Sequence, residues 1–340
     1  MLNNSKNYFE ELLPRPVFLG VSMAASWAWG VSIVLTMQFL LTKGEIPFLF
    51  WALANSITIP VFGYVAYKLK NLQAQLNNII IKYSMIIIQL FSLWVQIQAI
   101  YQISLEIGIN EIGAKVLGMG AGIFFVILVL KKGLKMSMFT DQIQWIITIG
   151  AGIVLMFLGL KSGTPANLPL GLEPEHMRWA WLGSLILLSG PFVDLQQWQR
   201  ARVVFKEKEY SSFLWGGIAF ALYMFLCFVA FQFVVTKVMY MFILVITLMV
   251  STSTMDSAAV ALHELKGPKF GAVVGLVAVL GWPLFTSLGV MGLWATYGIG
   301  RMYIVATMLV IAIYKKYFGE EEQEGYLHNE NQEKIYEGVL

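Results

Sequence analysis

The chain has 340 residues, of which 58% are hydrophobic and only 13% are charged. This composition is typical of a protein embedded in a membrane and excludes a soluble domain of useful size. A single cysteine, Cys227, excludes an internal disulfide, and three scattered histidines argue against a zinc site. The net charge of +3 indicates little by itself, and we expect no nucleic-acid partner.

Apolar runs of about 20 residues predict ten membrane-spanning helices. The predicted spans cover residues 16–41, 46–67, 83–106, 112–130, 139–160, 178–197, 211–235, 238–263, 270–289 and 292–314. They divide into a first half, 16–160, and a second half, 178–314, joined by an outer loop, 161–177. We expect residues 1–15 to form a cytoplasmic segment and residues 315–340 to form an acidic cytoplasmic tail.

Most lysine and arginine residues fall on one side of these ten spans, and the other side holds few. By the positive-inside rule, this asymmetry places both termini in the cytoplasm and the protein in the cell membrane, surrounded by lipid. Arg200 and Arg202, at the end of span 6, would then mark the cytoplasmic surface.

Arg301 is the exception, because it lies within span 10 at a depth of ~14 Å and needs a partner there. One candidate is Asp194 of span 6, which the same count places ~10 Å deeper than Arg301. The other is hydration in a solute pathway, with carbonyls freed by Gly298 and Gly300 as partners. The separation of the two charges favours hydration.

Span 8 contains a run of hydroxyls closed by a carboxylate, Val250-Ser251-Thr252-Ser253-Thr254-Met255-Asp256-Ser257. Polar atoms are costly at membrane depth because each must find a partner without bulk water. Ser253 and Thr254 offer two adjacent hydroxyl oxygens, and oxygen ligands suit a hard cation such as sodium. The alternative is that these hydroxyls bond back to their own helix or join it to a neighbour.

Span 6 contains Ser189-Gly190-Pro191, followed by Asp194. A proline in mid-span breaks the hydrogen-bond ladder of the helix and leaves backbone groups that must bind something. Interrupted helices are the strongest sequence indication of a binding site in a transporter, although a simple kink gives the same pattern.

Two further spans carry unusual side chains. Span 1 contains Trp27 and Trp29 beside the small residues around Ala24. These rings either fill the core or face a solute. Span 3 contains several glutamines, including Gln96, which either join helices or line a pore.

Several motifs are specific when taken together. They are Lys132-Gly133-Leu134-Lys135 with Phe139-Thr140-Asp141-Gln142-Ile143-Gln144 at span 5, Phe192-Val193-Asp194 with Trp198 and Arg200-Ala201 in span 6, Gly216-Gly217 in span 7, Ser253-Thr254-Met255-Asp256-Ser257 in span 8, and Ser26-Trp27-Ala28-Trp29 in span 1. Together they resemble the sodium:solute symporter family, and most closely its urea-active transporter branch.

The resemblance implies an all-α integral membrane protein with ten transmembrane helices in a five-plus-five inverted-repeat fold of the LeuT type. It also implies a sodium site between spans 1 and 8. The implied ligands are the carbonyls of Ala24, Trp27 and Val250 and the hydroxyls of Ser253 and Thr254, with Asp141 beside them. Counting 1.5 Å per residue from the cytoplasmic ends puts the span 1 ligands at ~12–16 Å and the span 8 hydroxyls at ~14–15 Å, so the two groups lie level.

These observations predict a sodium-coupled symporter of a small polar solute, urea-like or related, that works by alternating access and is not an enzyme. The expected solute contacts are Ser26, Trp29, Gln96, Ser189, Gly190, Asp194 and Arg301. Proton coupling through Asp141 or Asp256 is the alternative within the same fold. A non-transporting sensor or partner subunit is a further alternative, whereas the spans carry no paired histidines or metal-binding spacing typical of a membrane enzyme.

Overall fold

The computed structural model describes residues 15–28, 31–69, 72, 75–129 and 133–318. Side chains are described for these residues except at 77, 125, 128–129, 133–136, 252–266, 268, 316 and 318. Within this part of the chain the structure is helical, and its only strand-like feature is an isolated antiparallel bridge between Pro165 and Phe233.

The α-helices of this part of the chain are numbered in order. They are α1 (Pro16–Ala28), α2 (Ser32–Lys43), α3 (Glu45–Lys68), α4 (Ile79–Glu106), α5 (Glu111–Val129), α6 (Gly133–Ser162), α7 (Pro174–Ser189), α8 (Leu195–Glu207), α9 (Ser211–Ala230), α10 (Lys237–Lys266), α11 (Pro268–Gly281) and α12 (Gly289–Phe318). Short 3₁₀ helices lie at Gln75–Asn77, Gly190–Val193 and Trp282–Leu288.

Five helical segments of the described residues are long and apolar enough to cross a membrane, or six if the bent pair α1–α2 counts as one span. The five are Glu45–Lys68, Ile79–Glu106, Ser137–Ser162, Ser211–Ala230 and Lys269–Lys315. Their length and hydropathy indicate a helical protein that is inserted in a membrane. Each of the ten predicted spans overlaps a helix or a pair of helices.

Span 1, which was predicted over residues 16–41, is interrupted in the structure. α1 ends at Ala28, α2 begins at Ser32, and the axes of the two helices differ by 60°. Span 6 is interrupted at the predicted place, because α7 ends at Ser189 and α8 begins at Leu195. Span 6 contains Pro191, whereas span 1 contains only a glycine, Gly30, near the corresponding place. Proline costs about 3 kcal/mol inside a helix and glycine only about 1 kcal/mol, so the sequence indicates the interruption of span 6 more strongly than that of span 1.

The helix α3 illustrates how the bundle is arranged. Leu49, Leu53 and Ile57, which are spaced four residues apart, are exposed as expected for side chains that contact lipid chains. The opposite face carries the buried side chains Asn55 and Thr58. On α3, the polar side chains Asn55 and Thr58 therefore point into the bundle, and the face that points out of it is apolar.

Helices of the first half pack on helices of the second half. α1 packs on α9, α3 packs on α7 and α9, and both α4 and α6 pack on α10. Glycines permit the closest of these approaches, since a Cβ at Gly20 of α1 would lie only 2.6 Å from the Ser212 carbonyl oxygen. The two interrupted spans are consequently enclosed by the other helices.

Candidate functional site

Backbone groups at the two interruptions are bound by side chains of other spans. The Val31 amide, just before α2, donates to Gln96 Oε1 of α4 at 3.0 Å. The Leu187 carbonyl, near the end of α7, accepts a hydrogen bond from the Thr58 hydroxyl of α3 at 2.7 Å. These bonds stabilise interrupted helices at a depth where bulk water is not available to satisfy the backbone.

The two interruptions also contact each other. Gly190 lies so close to the Trp27 ring and the Arg301 guanidinium that a Cβ atom there would overlap both. Gln197 of α8 reaches back to α1, where its Nε2 donates to the Ser26 hydroxyl at 2.9 Å. The ends of α1 and α7 and the start of α8 therefore meet at one place in the bundle.

A small cavity lies at this meeting place. Its volume is about 20 Å³, which is enough for about one water molecule. Its polar and aromatic wall is formed by Trp27, Thr36, Trp51, Asn55, Trp294 and Arg301. A larger groove of about 290 Å³ between α4 and α12 is more open and is lined mainly by apolar side chains such as Ile87 and Ile304, so it suits lipid chains better than a polar solute.

Two polar atoms in the cavity wall have no hydrogen-bond partner in the described part of the chain. They are Thr36 Oγ1 and Trp51 Nε1, on side chains that are 0% and 3% exposed. Asn55 differs from them, because its Oδ1 accepts from Trp27 Nε1 at 3.2 Å and its Nδ2 donates to the Trp51 carbonyl at 3.1 Å. Since native proteins pair nearly all of their buried polar groups, Thr36 and Trp51 indicate a place where a ligand or water binds.

Arg301 is buried against two aromatic rings. Its guanidinium carbon lies 4.5 Å from the centre of the Tyr297 ring and 5.2 Å from the centre of the Trp27 ring. Contacts of this kind partly offset the cost of burying a cation. The expectation that Gly298 and Gly300 free carbonyls for Arg301 was wrong, because α12 continues unbroken through both glycines.

A second buried cluster joins α1, α6 and α8. Arg200 Nη2 lies 2.6 Å from Asp141 Oδ2, and both side chains are fully buried. The Ser22 hydroxyl donates to the same carboxylate oxygen at 2.6 Å and accepts from Arg200 Nε at 2.9 Å. The expectation that Arg200 marks the cytoplasmic surface was therefore wrong, because a buried carboxylate draws this arginine into the bundle.

Among the described buried side chains, each charged group lies near a group of opposite charge. Asp194 lies close enough to both Arg200 and Arg301 for their charges to act on it. Its Oδ1 also accepts a hydrogen bond from the Gln196 amide at 2.9 Å, which caps the start of α8. With Asp141 included, the described buried side chains comprise two acids and two arginines, so their charges cancel.

The cavity lies between two packed layers. On the side where α2 ends and α3 begins, the ring centres of Phe39 and Trp51 are 4.6 Å apart and those of Trp51 and Trp294 are 4.7 Å apart. These three rings, the aromatic layer, lie roughly 6–9 Å from the nearest ends of their helices. On the opposite side lies the ionic layer, which is formed by Ser22, Asp141 and Arg200. Its residues lie roughly 8–12 Å from the nearest ends of their helices.

Among the predicted solute contacts, Arg301 lines the cavity, and Gly190 lies against Arg301 and Trp27 of its wall. Asp194 is buried near Arg301 but does not line the cavity. Trp29 lies outside the described residues. The structure thus brings three of these residues together and leaves a solute contact at each of them a prediction.

The other predicted solute contacts make hydrogen bonds within the protein. Ser26 Oγ and Ser189 Oγ each donate to a backbone carbonyl three residues earlier in their own helices, at 3.1 Å and 2.9 Å. Gln96 Oε1 accepts from the Ser251 hydroxyl at 2.9 Å as well as from the Val31 amide. Gln96 therefore joins the first interruption to α10, which contains the hydroxyl-rich stretch.

Two of the predicted ion ligands lie where α1 ends. Trp27 is among the last four residues of α1, whose carbonyls have no partner within the helix, and Ala24 immediately precedes them. Asp141 is linked to the same helix through Ser22, and its place beside an ion stays a prediction. Its pairing with Arg200 was not expected.

The remaining predicted ion ligands lie on α10. Val250 is buried there, against Ala151 of α6. The side chains of Ser253 and Thr254 lie outside the described side chains, so their role stays a prediction. Among the described residues, no group of three His, Cys, Asp or Glu side chains could hold a metal ion.

Sequence reasoning missed the wall of the cavity. A signal was present in span 2, because Trp51, Asn55 and Thr58 are spaced three and four residues apart and form one polar face in an apolar helix. Arg200 was misplaced because it opens a basic run that ends at Lys208, and such runs usually mark the edge of a membrane.

Comparison with models of known protein families finds none that matches this chain. Comparison with curated proteins likewise finds none that is similar in sequence. A functional assignment therefore rests on the chemistry of the cavity and of the two layers around it.

Proposed function

We propose that this protein is a sodium-coupled secondary transporter of a small polar solute. The observation that carries the proposal is a buried polar cavity at the point where two interrupted helices meet, closed on one side by the aromatic layer and on the other by the ionic layer. Interrupted helices at mid-membrane are the usual means by which transporters present backbone groups to solutes and ions.

The arrangement of the helices supports a ten-span, five-plus-five inverted repeat of the LeuT type. If span n of the first half corresponds to span n+5 of the second, the packing of α1 on α9 corresponds to that of α7 on α3, and both pairs are in contact. The pairs α4–α12 and α10–α6 correspond in the same way, as do α1–α6 and α7–α12. The matching interruptions in spans 1 and 6 fit this symmetry, and the motifs resembling sodium:solute symporters agree with it.

Sodium has a suitable place between the end of α1 and the hydroxyl-rich stretch of α10. In the proposed cycle, sodium bound there joins the two helices and favours the state open on the side of the aromatic layer. A ligand shifts such an equilibrium only by its difference in affinity between the two states. The sodium gradient would then drive solute uptake.

A second candidate is the same transport without sodium coupling. The observation that favours it is the guanidinium of Arg200, which already neutralises Asp141, the acid expected beside the ion. A fixed cation at this position would stabilise α1 against α6 whether or not sodium is present.

The proposal is tested in proteoliposomes loaded without sodium and exposed to a panel of radiolabelled small solutes in sodium chloride or choline chloride. We expect uptake only in sodium, and we expect Ser253→Ala with Thr254→Ala to abolish it. The matched control is Ser56→Ala with Thr307→Ala, which removes hydroxyls that bond back to their own helices. Equal uptake in choline would favour the second candidate, and sodium stimulation that survives in the first double variant would contradict the ion site.

A further inference from the structure

We infer that the solute bound in this cavity is a small carboxylate rather than a neutral, urea-like molecule; this inference rests on the proposed transport function. Three groups on residues that line the cavity support this inference: the guanidinium of Arg301, the indole N–H of Trp51 and the hydroxyl of Thr36. The last two are buried and have no hydrogen-bond partner in the described part of the chain.

The hydrogen-bonding capacity of the wall is strongly unequal. A guanidinium and an indole N–H can only donate, whereas the hydroxyls of Thr36 and of Ser32, which also lines the cavity, can donate or accept. The Asn55 oxygen already accepts a hydrogen bond from Trp27. A carboxylate only accepts, so it complements this wall, whereas urea brings more N–H donors than the wall has acceptors for.

The balance of the buried charges also favours a carboxylate as the ligand. The acids and arginines among the described buried side chains cancel each other. A sodium ion bound in the bundle would add a positive charge to this balanced set of described side chains, which is costly in a medium of low dielectric constant. A carboxylate entering with the sodium ion restores neutrality, and its charge is delocalised over two oxygens that Arg301 and Trp51 can share.

The position of Trp51 connects binding to closure. Its ring belongs to the aromatic layer, and the same residue lines the cavity. The cavity of about 20 Å³ holds only about one water molecule, so even a small carboxylate enters only after this layer has opened. A carboxylate that binds the Trp51 N–H then favours return of the ring to its closed position.

The test uses the purified full-length protein in detergent at a fixed sodium concentration, and it measures the shift in unfolding temperature and the apparent Kd with two probes. Acetate and acetamide have nearly the same shape but differ in charge and in donors. We expect acetate to stabilise the protein at concentrations at which acetamide and urea do not.

Two variants remove the unpaired groups. Thr36→Val keeps the shape of the side chain, so we expect the free variant to be as stable as the parent. Trp51→Phe removes the N–H together with part of a packed ring, so we expect it to lower stability and use it only to compare acetate with acetamide. Each should weaken acetate binding by about tenfold or more, the size expected for a hydrogen bond to a charged group. The controls Thr307→Val and Trp181→Phe make the same changes at exposed positions and should leave acetate binding unchanged.

Equal stabilisation by acetate and acetamide, or acetate binding that survives both variants, would overturn the inference. So would sodium-driven uptake of a neutral solute without any acetate binding, an outcome that leaves the transport function intact. If acetate binds as expected but no solute on the panel, acetate included, is taken up in sodium or in choline, the carboxylate site stands and the transport function fails.

Discussion

At the scale of single residues, the pair formed by Asp141 and Arg200 has the greatest energetic weight. Two charges removed from water cost several kcal/mol each, and their mutual attraction repays this only when the geometry is good and the other atoms are bonded. Here the pair is fully buried at 2.6 Å, and Arg200 also donates to Ser22 and to the Gln196 carbonyl. Removing one partner leaves the other as an uncompensated charge.

We therefore expect Asp141→Asn or Arg200→Gln alone to lower the free energy of unfolding by about 3–5 kcal/mol, and the double variant to recover a large part of that loss. Thermal or denaturant unfolding in detergent measures it. Lys115→Gln breaks an exposed pair of the same 2.6 Å length with Glu111 and should have almost no effect. Losses that simply add in the double variant would show that the two side chains do not act as a pair.

Gly190 provides a second test at this scale, because it is where the two interruptions touch. An added methyl group would overlap the Trp27 ring and the Arg301 guanidinium, and overpacking of this kind typically costs about 1–3 kcal/mol. We expect Gly190→Ala to lower stability by that amount and to reduce transport. Gly150→Ala, where a new Cβ meets no atom within 4 Å, is the control and should be neutral or stabilising. If Gly190→Ala and Gly150→Ala had the same effect on stability and on transport, the two interruptions would not be in close contact.

At the scale of helices, each interruption depends on a side chain from another span. Thr58 donates to the Leu187 carbonyl, where α7 approaches its end. Thr58→Val keeps the shape of the side chain but removes this bond. Because the carbonyl still accepts from the Gly190 amide, we expect a loss of about 0.5–1.5 kcal/mol. Calorimetry of this variant beside Thr307→Val, whose hydroxyl is exposed, measures the difference. An equal effect of both substitutions would argue that water replaces Thr58.

Much of this helical arrangement was predictable from the sequence, but only where a strong local signal exists. The hydrophobic runs located the helices, and Pro191 located the interruption of span 6. The interruption of span 1 was missed because it depends on a tertiary contact, the bond from Val31 to Gln96, that no local pattern reveals.

The same limit applies to the site. Sequence spacing identified Arg301 as a buried cation in need of a partner, and the structure gives it the rings of Trp27 and Tyr297. It could not pair Asp141 with Arg200, because the two residues lie 59 positions apart in the chain. Nor could it show which hydroxyls lack partners, since that depends on every neighbour of each group.

At the scale of the whole molecule, the cavity lies between the aromatic layer, held by ring contacts, and the ionic layer, held by a buried ion pair. For the proposed transport by alternating access, these two layers must open in turn and never together. We propose that sodium shifts the molecule towards opening of the aromatic layer.

Comparing how fast a thiol reagent labels single cysteines on the two sides of the cavity, with and without sodium, tests this proposal. The measurement requires no knowledge of the solute. In a Cys227→Ala background, single cysteines replace Thr36, on the side of the aromatic layer, or Ser137, which lies 3.5 Å from Arg200. A water-soluble thiol reagent is applied in sodium chloride or in choline chloride, with Thr164→Cys in the exposed loop as control. We predict that sodium raises the labelling rate at position 36 and lowers it at position 137, with no change at position 164. Rates that move in the same direction at both positions, or that do not respond to sodium, would contradict the account.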